Sequence, residues 1–165
     1  MSDDKTIKKS NYITPEGMQA LRDEVRYLWK TERPKVTQSV SEAAAQGDRS
    51  ENAEYTYGKK RLREIDRRLR FLSKRIEALQ VVNDLPRDQS KIYFAAWVTL
   101  EDINGSRINY RIIGPDEIDL KKSYISIDSP MGRALIGHRV NDKIVVKAPE
   151  GEKQYYIVAI SYDQL

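Results

Sequence analysis

The chain has 165 residues, of which 39% are hydrophobic and 33% charged, so it can form a core but must expose much of its length. No apolar run reaches the roughly 18 residues that span a membrane, and the polar residues 1–10 lack the apolar region of a signal peptide. Cysteine is absent, which excludes disulfides and thiolate metal sites. These features predict a cytoplasmic protein with one domain or two small ones.

The net charge of +4 is distributed unevenly along the chain. Residues 1–80 contain 18 basic and 13 acidic side chains, whereas residues 81–165 contain 11 basic and 12 acidic ones. The first half therefore suits an anionic partner better than the second half does.

Residues 1–11 are predicted to form a flexible polar tail, and a first helix follows. Thr14 offers an N-cap hydroxyl, and Pro15 suits the first helical position. Pro34 predicts a kink or a short break within this helical region. Apolar residues recur at helical spacing on both sides of it: Met18, Leu21, Val25 and Leu28 before it, and Val36, Val40, Ala43 and Ala44 after it.

A second helix is predicted from about Glu51 to Leu79. Its apolar residues alternate three- and four-residue steps, as in a coiled-coil seam: Leu62, Ile65, Leu69, Leu72, Ile76 and Leu79. Extending the seam backwards adds Tyr55 and Gly58. Residues 12–82 are therefore predicted to form an antiparallel coiled-coil hairpin with residues 47–55 at its tip.

Residues 83–165 have the pattern of a small α+β domain. A turn-rich linker covers residues 83–88, and Asn104-Gly105 predicts a hairpin turn. Ser129-Pro130 has the features of the cap and first residue of a short helix that ends at Gly137. We expect an antiparallel sheet with strands at residues 92–100, 107–113, 124–127, 144–146 and 155–160.

Most catalytic signatures are absent from the sequence. It contains no glycine-rich phosphate loop, nucleophile elbow or His-Glu-x-x-His motif. The single histidine, His138, follows the predicted short helix in a polar stretch, so we expect a surface residue and not a base. A self-contained enzyme is therefore disfavoured.

Two carboxylates, Asp48 and Glu51, lie three residues apart at the predicted tip. If both are helical they share one face, where they can hold part of a Mg²⁺ shell that water and phosphate complete. The same spacing fits a capping box, with Asp48 as N-cap and Glu51 at the third helical position. The two interpretations are compatible, and spacing alone does not choose between them.

The second helix also carries a strongly basic run, in which Glu64 and Asp66 are the only acidic residues. With Leu62 at heptad position a, the basic side chains are expected to coat the side away from the seam. Such a face either keeps the hairpin soluble or steers a phosphate backbone, and few aromatic residues accompany it for base stacking. The run comprises Lys59, Lys60, Arg61, Arg63, Arg67, Arg68, Arg70, Lys74 and Arg75.

Two motifs carry a family resemblance: Gly47-Asp48-Arg49-Ser50-Glu51-Asn52-Ala53-Glu54-Tyr55 and Tyr124-Ile125-Ser126-Ile127-Asp128-Ser129-Pro130-Met131. In this order around a helical hairpin they resemble the bacterial Gre transcript cleavage factors, over residues 12–162. The segments at 27–29, 32–34 and 59–68 are similar to the GreB type rather than to GreA.

The resemblance implies an α+β protein in which an FKBP-like domain, residues 83–165, follows the hairpin. It implies that the hairpin enters the secondary channel of a backtracked bacterial RNA polymerase, where Asp48 and Glu51 help to hold a catalytic Mg²⁺ and its attacking water. The polymerase, not this chain, then cleaves its RNA, and no cofactor of its own is expected. Asp128, Ser129 and Pro130 match the family's polymerase contact. The extruded RNA 3′ segment would be held by Lys59, Lys60, Arg61, Arg63, Arg67, Arg68 and Lys74.

Two alternatives remain open on the sequence. A channel regulator of the same shape would bind polymerase and inhibit it without shortening the transcript. A coiled-coil scaffold or RNA-binding protein would use the tip carboxylates only as a cap. In the interpretation that we favour, the chain acts as a monomer, away from membranes.

Overall fold

The computed structural model describes residues 9–47 and 52–163, which form an α+β protein of two compact units. We call Met18–Leu79 the hairpin unit. Met1–Gly17 together with Gln80–Leu165 make up the sheet unit. The predicted boundary at residue 82 differs from this division, because residues 12–17 and 80–82 lie in the sheet unit.

One arm of the hairpin consists of α1 (Pro15–Tyr27), a π-helical turn (Leu28–Glu32) and α2 (Arg33–Ala45). Thr14 caps α1 as predicted, because its Oγ1 accepts a hydrogen bond from the Gly17 amide at 3.0 Å. The predicted irregularity is the π-helical turn, and it ends two residues before Pro34. Proline has no amide hydrogen to donate and its ring clashes with the preceding turn, so the helix widens there instead of ending.

The other arm is a single helix, α3 (Ala53–Ala78), which runs antiparallel to the first. Two contacts show this direction. Glu24 pairs with Arg68, whereas Val40, which comes later on the first arm, packs against Gly58, which comes earlier on α3. The predicted seam is confirmed, since Ile65 and Leu72 on α3 are 1% exposed or less. On the first arm its buried residues are Met18, Leu21, Leu28, Val40 and Ala43.

Gly58 is a point of close approach between the arms. A Cβ atom built on it would lie 2.4 Å from Cγ2 of Val40, a β-branched side chain with little rotamer freedom. The sequence pattern placed this glycine on the seam, and the structure adds that the close packing requires it.

We expect Gly58→Ala to lower the free energy of unfolding by about 1–2 kcal/mol, although alanine favours a helix by about 1 kcal/mol. Urea denaturation followed by circular dichroism measures the change. In a double-mutant cycle with Val40→Ala, the two substitutions should couple by about 1 kcal/mol in the direction of rescue. A more stable Gly58→Ala protein would show that the arms can separate without cost.

The sheet unit contains a five-stranded sheet in the order β5-β4-β3-β7-β6. The strands are β3 (Trp97–Asp102), β4 (Arg107–Ile113), β5 (Tyr124–Ser126), β6 (Lys143–Ala148) and β7 (Gly151–Ser161). The sheet is antiparallel as predicted, except that β5 pairs with β4 in parallel. The Asn104-Gly105 turn is confirmed, with φ +82° at Gly105 between β3 and β4.

The core of this unit lies against one face of the sheet, where α4 (Pro130–Leu135) contributes the buried Leu135. The short helix ends at Leu135, two residues before the predicted Gly137. The strand predicted for residues 92–100 begins only at Trp97, because residues 93–96 form a turn with φ +72° at Ala95. The apolar residues of this stretch predicted a strand, but Ile92 and Ala96 are apolar because they belong to the core.

Two very short strands also belong to the sheet unit. β1 (Tyr12–Ile13) pairs in parallel with β2 (Gln80–Val81), and the side chain of Ile13 is fully buried. Beside them, Glu117 accepts hydrogen bonds from the Thr14 amide and hydroxyl and from the Gly114 amide. These contacts hold the first residues of α1 against the loop that follows β4.

Candidate functional site

The tip carboxylates Asp48 and Glu51 lie outside the described residues, and the structure describes the two chain ends that bracket them. α2 ends at Ala45, and the Gln46 amide donates to the Ala43 carbonyl at 3.2 Å. α3 begins again at Ala53 after Asn52. The segment that carries both carboxylates therefore connects the ends of two antiparallel helices.

Asn52 joins the two helices at the base of this tip. Its Oδ1 accepts a hydrogen bond from the Tyr55 amide at 3.1 Å, which makes it the N-cap of α3. Its Nδ2 donates to the Ala43 carbonyl of α2 at 2.7 Å. One side chain thus satisfies an unpaired amide at the start of one helix and a carbonyl near the end of the other.

The capping role predicted for Asp48 is wrong for this helix. Because α3 starts at Ala53, its N-cap is Asn52, and Glu51 precedes the cap instead of occupying the third helical position. Both acids precede this cap in the sequence, so helical spacing within α3 does not place Asp48 and Glu51 on one face. The sequence also favoured Asn52, because asparagine is among the preferred N-cap residues, but the spacing of the two acids placed the predicted N-cap at Asp48.

Asn52→Ala should remove both hydrogen bonds and destabilise the hairpin by about 1–2 kcal/mol. Asn52→Asp should retain the cap but cannot donate to Ala43, so its loss should be smaller. Denaturation, combined with hydrogen exchange of the Tyr55 amide, distinguishes the two variants. Equal exchange rates in Asn52→Ala and the parent protein would contradict the clamp role of this residue.

Two of the basic residues predicted to face outwards instead link the arms. The Arg68 guanidinium contacts both carboxylate oxygens of Glu24 at 3.0 Å, and Arg61 Nε donates to Glu32 Oε1 at 2.8 Å. The prediction that the whole basic run lies away from the seam is therefore wrong for Arg61 and Arg68. Both occupy heptad position g, which flanks the seam and can reach acids on the facing helix.

In a third ion pair between the arms, the arginine is on the first arm and the acid is on α3. Arg33 on α2 donates from Nε to Asp66 on α3 at 2.8 Å, and this hydrogen bond holds the pKa of Asp66 below its ordinary value. Both acids of the basic run thus have arginine partners, because Glu64 contacts Arg61. The pairs help to set the register of the arms.

The remaining predicted RNA-binding side chains are exposed. Lys59 lies 5.8 Å from the centre of the Tyr55 ring. Over residues 9–47 and 52–163, the structure shows no ion pair for Lys60, Arg63, Arg67 or Lys74. Lys60, Arg67 and Lys74 are spaced by seven residues, so they form one column with about 10.5 Å between successive side chains.

The motif Asp128-Ser129-Pro130 opens α4 as predicted. Ser129 Oγ accepts from the Gly132 amide at 3.0 Å, and Pro130 occupies the first turn. Pro130 is exposed, whereas Asp128 and Ser129 are half-buried. Asp128 accepts two hydrogen bonds from Ser10, one from the amide at 2.8 Å and one from the hydroxyl.

Other candidate chemistry is limited. His138 has a side chain that is 43% exposed and contacts Asp142 through Nδ1 at 3.1 Å. Among the residues that the structure describes, no three acidic or histidine side chains group as a metal site. No helix in the same part of the chain is both long and apolar enough to cross a membrane.

Comparison with known proteins identifies both parts of the chain. Residues 11–81 match the family described as transcription elongation factor, N-terminal, and residues 87–162 match transcription elongation factor, GreA/GreB, C-term. The chain is 63% identical to the transcription elongation factor GreB of Haemophilus ducreyi over 95% of this chain and 97% of that protein. It is 60% identical to GreB of Yersinia pestis, covering 94% and 91% of the two chains, and 59% identical to GreB of Pseudomonas aeruginosa, covering 91% and 89%. The chain belongs to the GreA/GreB family of transcription elongation factors.

Proposed function

We propose that this chain enters the secondary channel of bacterial RNA polymerase and stimulates the cleavage of backtracked RNA. The observation that carries the proposal is the position of Asp48 and Glu51 between two helix ends that Asn52 clamps together. A narrow antiparallel hairpin can carry a pair of carboxylates into a channel that a globular domain cannot enter. The family membership supports the same role.

In this proposal Asp48 and Glu51 supply oxygen ligands to a Mg²⁺ ion that the polymerase holds in part. Carboxylate oxygens suit this ion, which takes one or two carboxylates and fills its remaining positions with water and phosphate. The bound ion would lower the pKa of a water molecule for in-line attack on the RNA. The chain itself would hold the carboxylates in place and would not be an enzyme.

The exposed cations of α3 would guide the extruded RNA 3′ segment. Four of the seven predicted RNA-binding residues have no ion pair in the described part of the chain, which leaves their charge available for phosphates: Lys60, Arg63, Arg67 and Lys74. Arg61 and Arg68 would contribute mainly by holding the arms in register. The sheet unit would contact polymerase through Asp128, Ser129 and Pro130, and the factor would act as a cytoplasmic monomer.

The test uses halted, backtracked elongation complexes with RNA labelled at the 5′ end. Adding the purified chain should convert the full-length RNA into shorter 5′ fragments that the polymerase extends again once nucleotides are supplied. The chain without polymerase should leave the same RNA intact. Binding to polymerase without shortening of the RNA would favour an inhibitory regulator, and RNA binding that does not require polymerase would favour a scaffold.

A further inference from the structure

Asp128 is already occupied by another part of the same chain. Ser10 donates to both of its carboxylate oxygens, from the amide to Oδ2 at 2.8 Å and from the hydroxyl to Oδ1. The neighbouring Lys9 places its ammonium 3.7 Å from Asp116 Oδ1. Two consecutive residues thus contact two carboxylates that lie twelve positions apart in the sequence.

In this contact, hydrogen-bond donors and a positive charge on one segment face carboxylates on another. A backbone amide, a hydroxyl and an ammonium group are all donors, and they face two acceptors that carry negative charge. The Asp116 side chain is only 5% exposed, whereas the Lys9 side chain is 50% exposed, so a largely exposed lysine contacts a carboxylate that is largely enclosed. The contact therefore places a short segment of chain against two carboxylates of the sheet unit, those of Asp116 and Asp128.

We infer that Lys9 and Ser10 occupy the surface through which the sheet unit engages polymerase, and that the partner displaces them. This inference rests on the proposed polymerase contact at Asp128. The partner segment then presents the same chemistry: a basic side chain followed by amide and hydroxyl donors in an extended stretch of protein. Binding becomes a competition between two sets of donors for Asp116 and Asp128.

Competition of this kind lowers the apparent affinity by the fraction of molecules in which the surface is open. If Lys9 and Ser10 are in place in about nine molecules of ten, their removal raises the affinity about tenfold. The full-length variant Lys9→Ala/Ser10→Pro removes the ammonium, the hydroxyl and the amide hydrogen together. It leaves Asn11 unchanged, whose carbonyl accepts from the Gln80 amide at 2.7 Å beside β1.

The experiment measures binding to purified bacterial RNA polymerase by fluorescence anisotropy. We expect the double variant to bind about five- to tenfold more tightly than the parent chain. Ser10→Glu, which sets a second negative charge against Asp128, should also tighten binding and does not introduce proline. Lys143→Ala changes the net charge as Lys9→Ala does, on the exposed edge strand β6, and should leave the affinity unchanged.

Asp128→Ala separates this inference from the proposed function. If Asp128→Ala weakens binding in both backgrounds but the Lys9 and Ser10 variants do not tighten it, the competition is excluded and the polymerase contact stands. If Asp128→Ala has no effect in either background, the contact itself is wrong, and the inference is overturned with it. Equal tightening by Lys143→Ala would overturn the inference by assigning the gain to net charge.

Discussion

Asp48→Asn should retain the fold and polymerase binding but lose most of the stimulation of RNA cleavage. Asparagine matches aspartate in size, and the N-cap of α3 is Asn52, but asparagine lacks the charge that a Mg²⁺ ligand supplies. We expect the cleavage rate at low Mg²⁺ to fall by about 10- to 100-fold, the range found when groups that support a metal site are removed. Gel resolution of RNA lengths from halted complexes measures the rate.

Three controls make this prediction specific. Raising Mg²⁺ should restore part of the activity of Asp48→Asn, because mass action compensates for a missing ligand. Glu51→Gln should behave in the same way, and the double variant should add little if both carboxylates serve one ion. Asn52→Asp disturbs the neighbouring clamp without removing a carboxylate, so magnesium should not rescue its defect. An Asp48→Asn protein with full activity would exclude the proposed role of this carboxylate.

Reversing the charge of Lys60, Arg67 and Lys74 should reduce cleavage most in complexes with long extruded RNA. These side chains form one exposed column on α3, so their replacement by glutamate should leave the seam and the interhelical ion pairs unchanged. Losing three phosphate contacts should reduce the slope of log affinity against log salt by about 2. Cleavage rates on short and long backtracks, measured over a range of salt concentrations, test both expectations.

The matched control places the same charge change on the other arm. Arg22, Arg26 and Lys30 are exposed residues of the first arm, and their replacement by glutamate also changes the net charge by six units. The control should reduce cleavage less than the α3 variant, and without dependence on RNA length. If both triple variants are equally impaired, the total charge of the hairpin is decisive, and a defined RNA path along α3 is excluded.

Features that depend on neighbouring residues were predictable from the sequence. Heptad spacing predicted the seam of α3, the Thr14-Pro15 pair predicted the start of α1, and Asn104-Gly105 predicted the β-hairpin. In each case the physical cause acts within one or two turns of chain, so the local sequence contains it. The family resemblance is confirmed by the two family models that match the chain. The metal role that it implies for the tip carboxylates stays a prediction, because both residues lie outside the part of the chain that the structure describes.

Only the tertiary structure showed which residues distant in sequence contact each other. Position g is compatible with solvent or with a facing acid, and only the register of the arms directs Arg61 and Arg68 to Glu32 and Glu24. The same register brings Ala43 within reach of Asn52 and packs Val40 so closely against Gly58 that a Cβ atom there would clash.

In the sheet unit, two-residue strands are too short for a periodic signal, so the pairing of Tyr12 with Gln80 has no local signature. Ser10 likewise belonged to a predicted flexible tail. Its hydrogen bonds to Asp128 exist because the fold brings residues 118 positions apart within 2.8 Å of each other. The sequence by itself therefore determined which elements form and which groups can carry chemistry. The tertiary structure decided which of those groups are already engaged, because engagement depends on distances that only the folded chain defines.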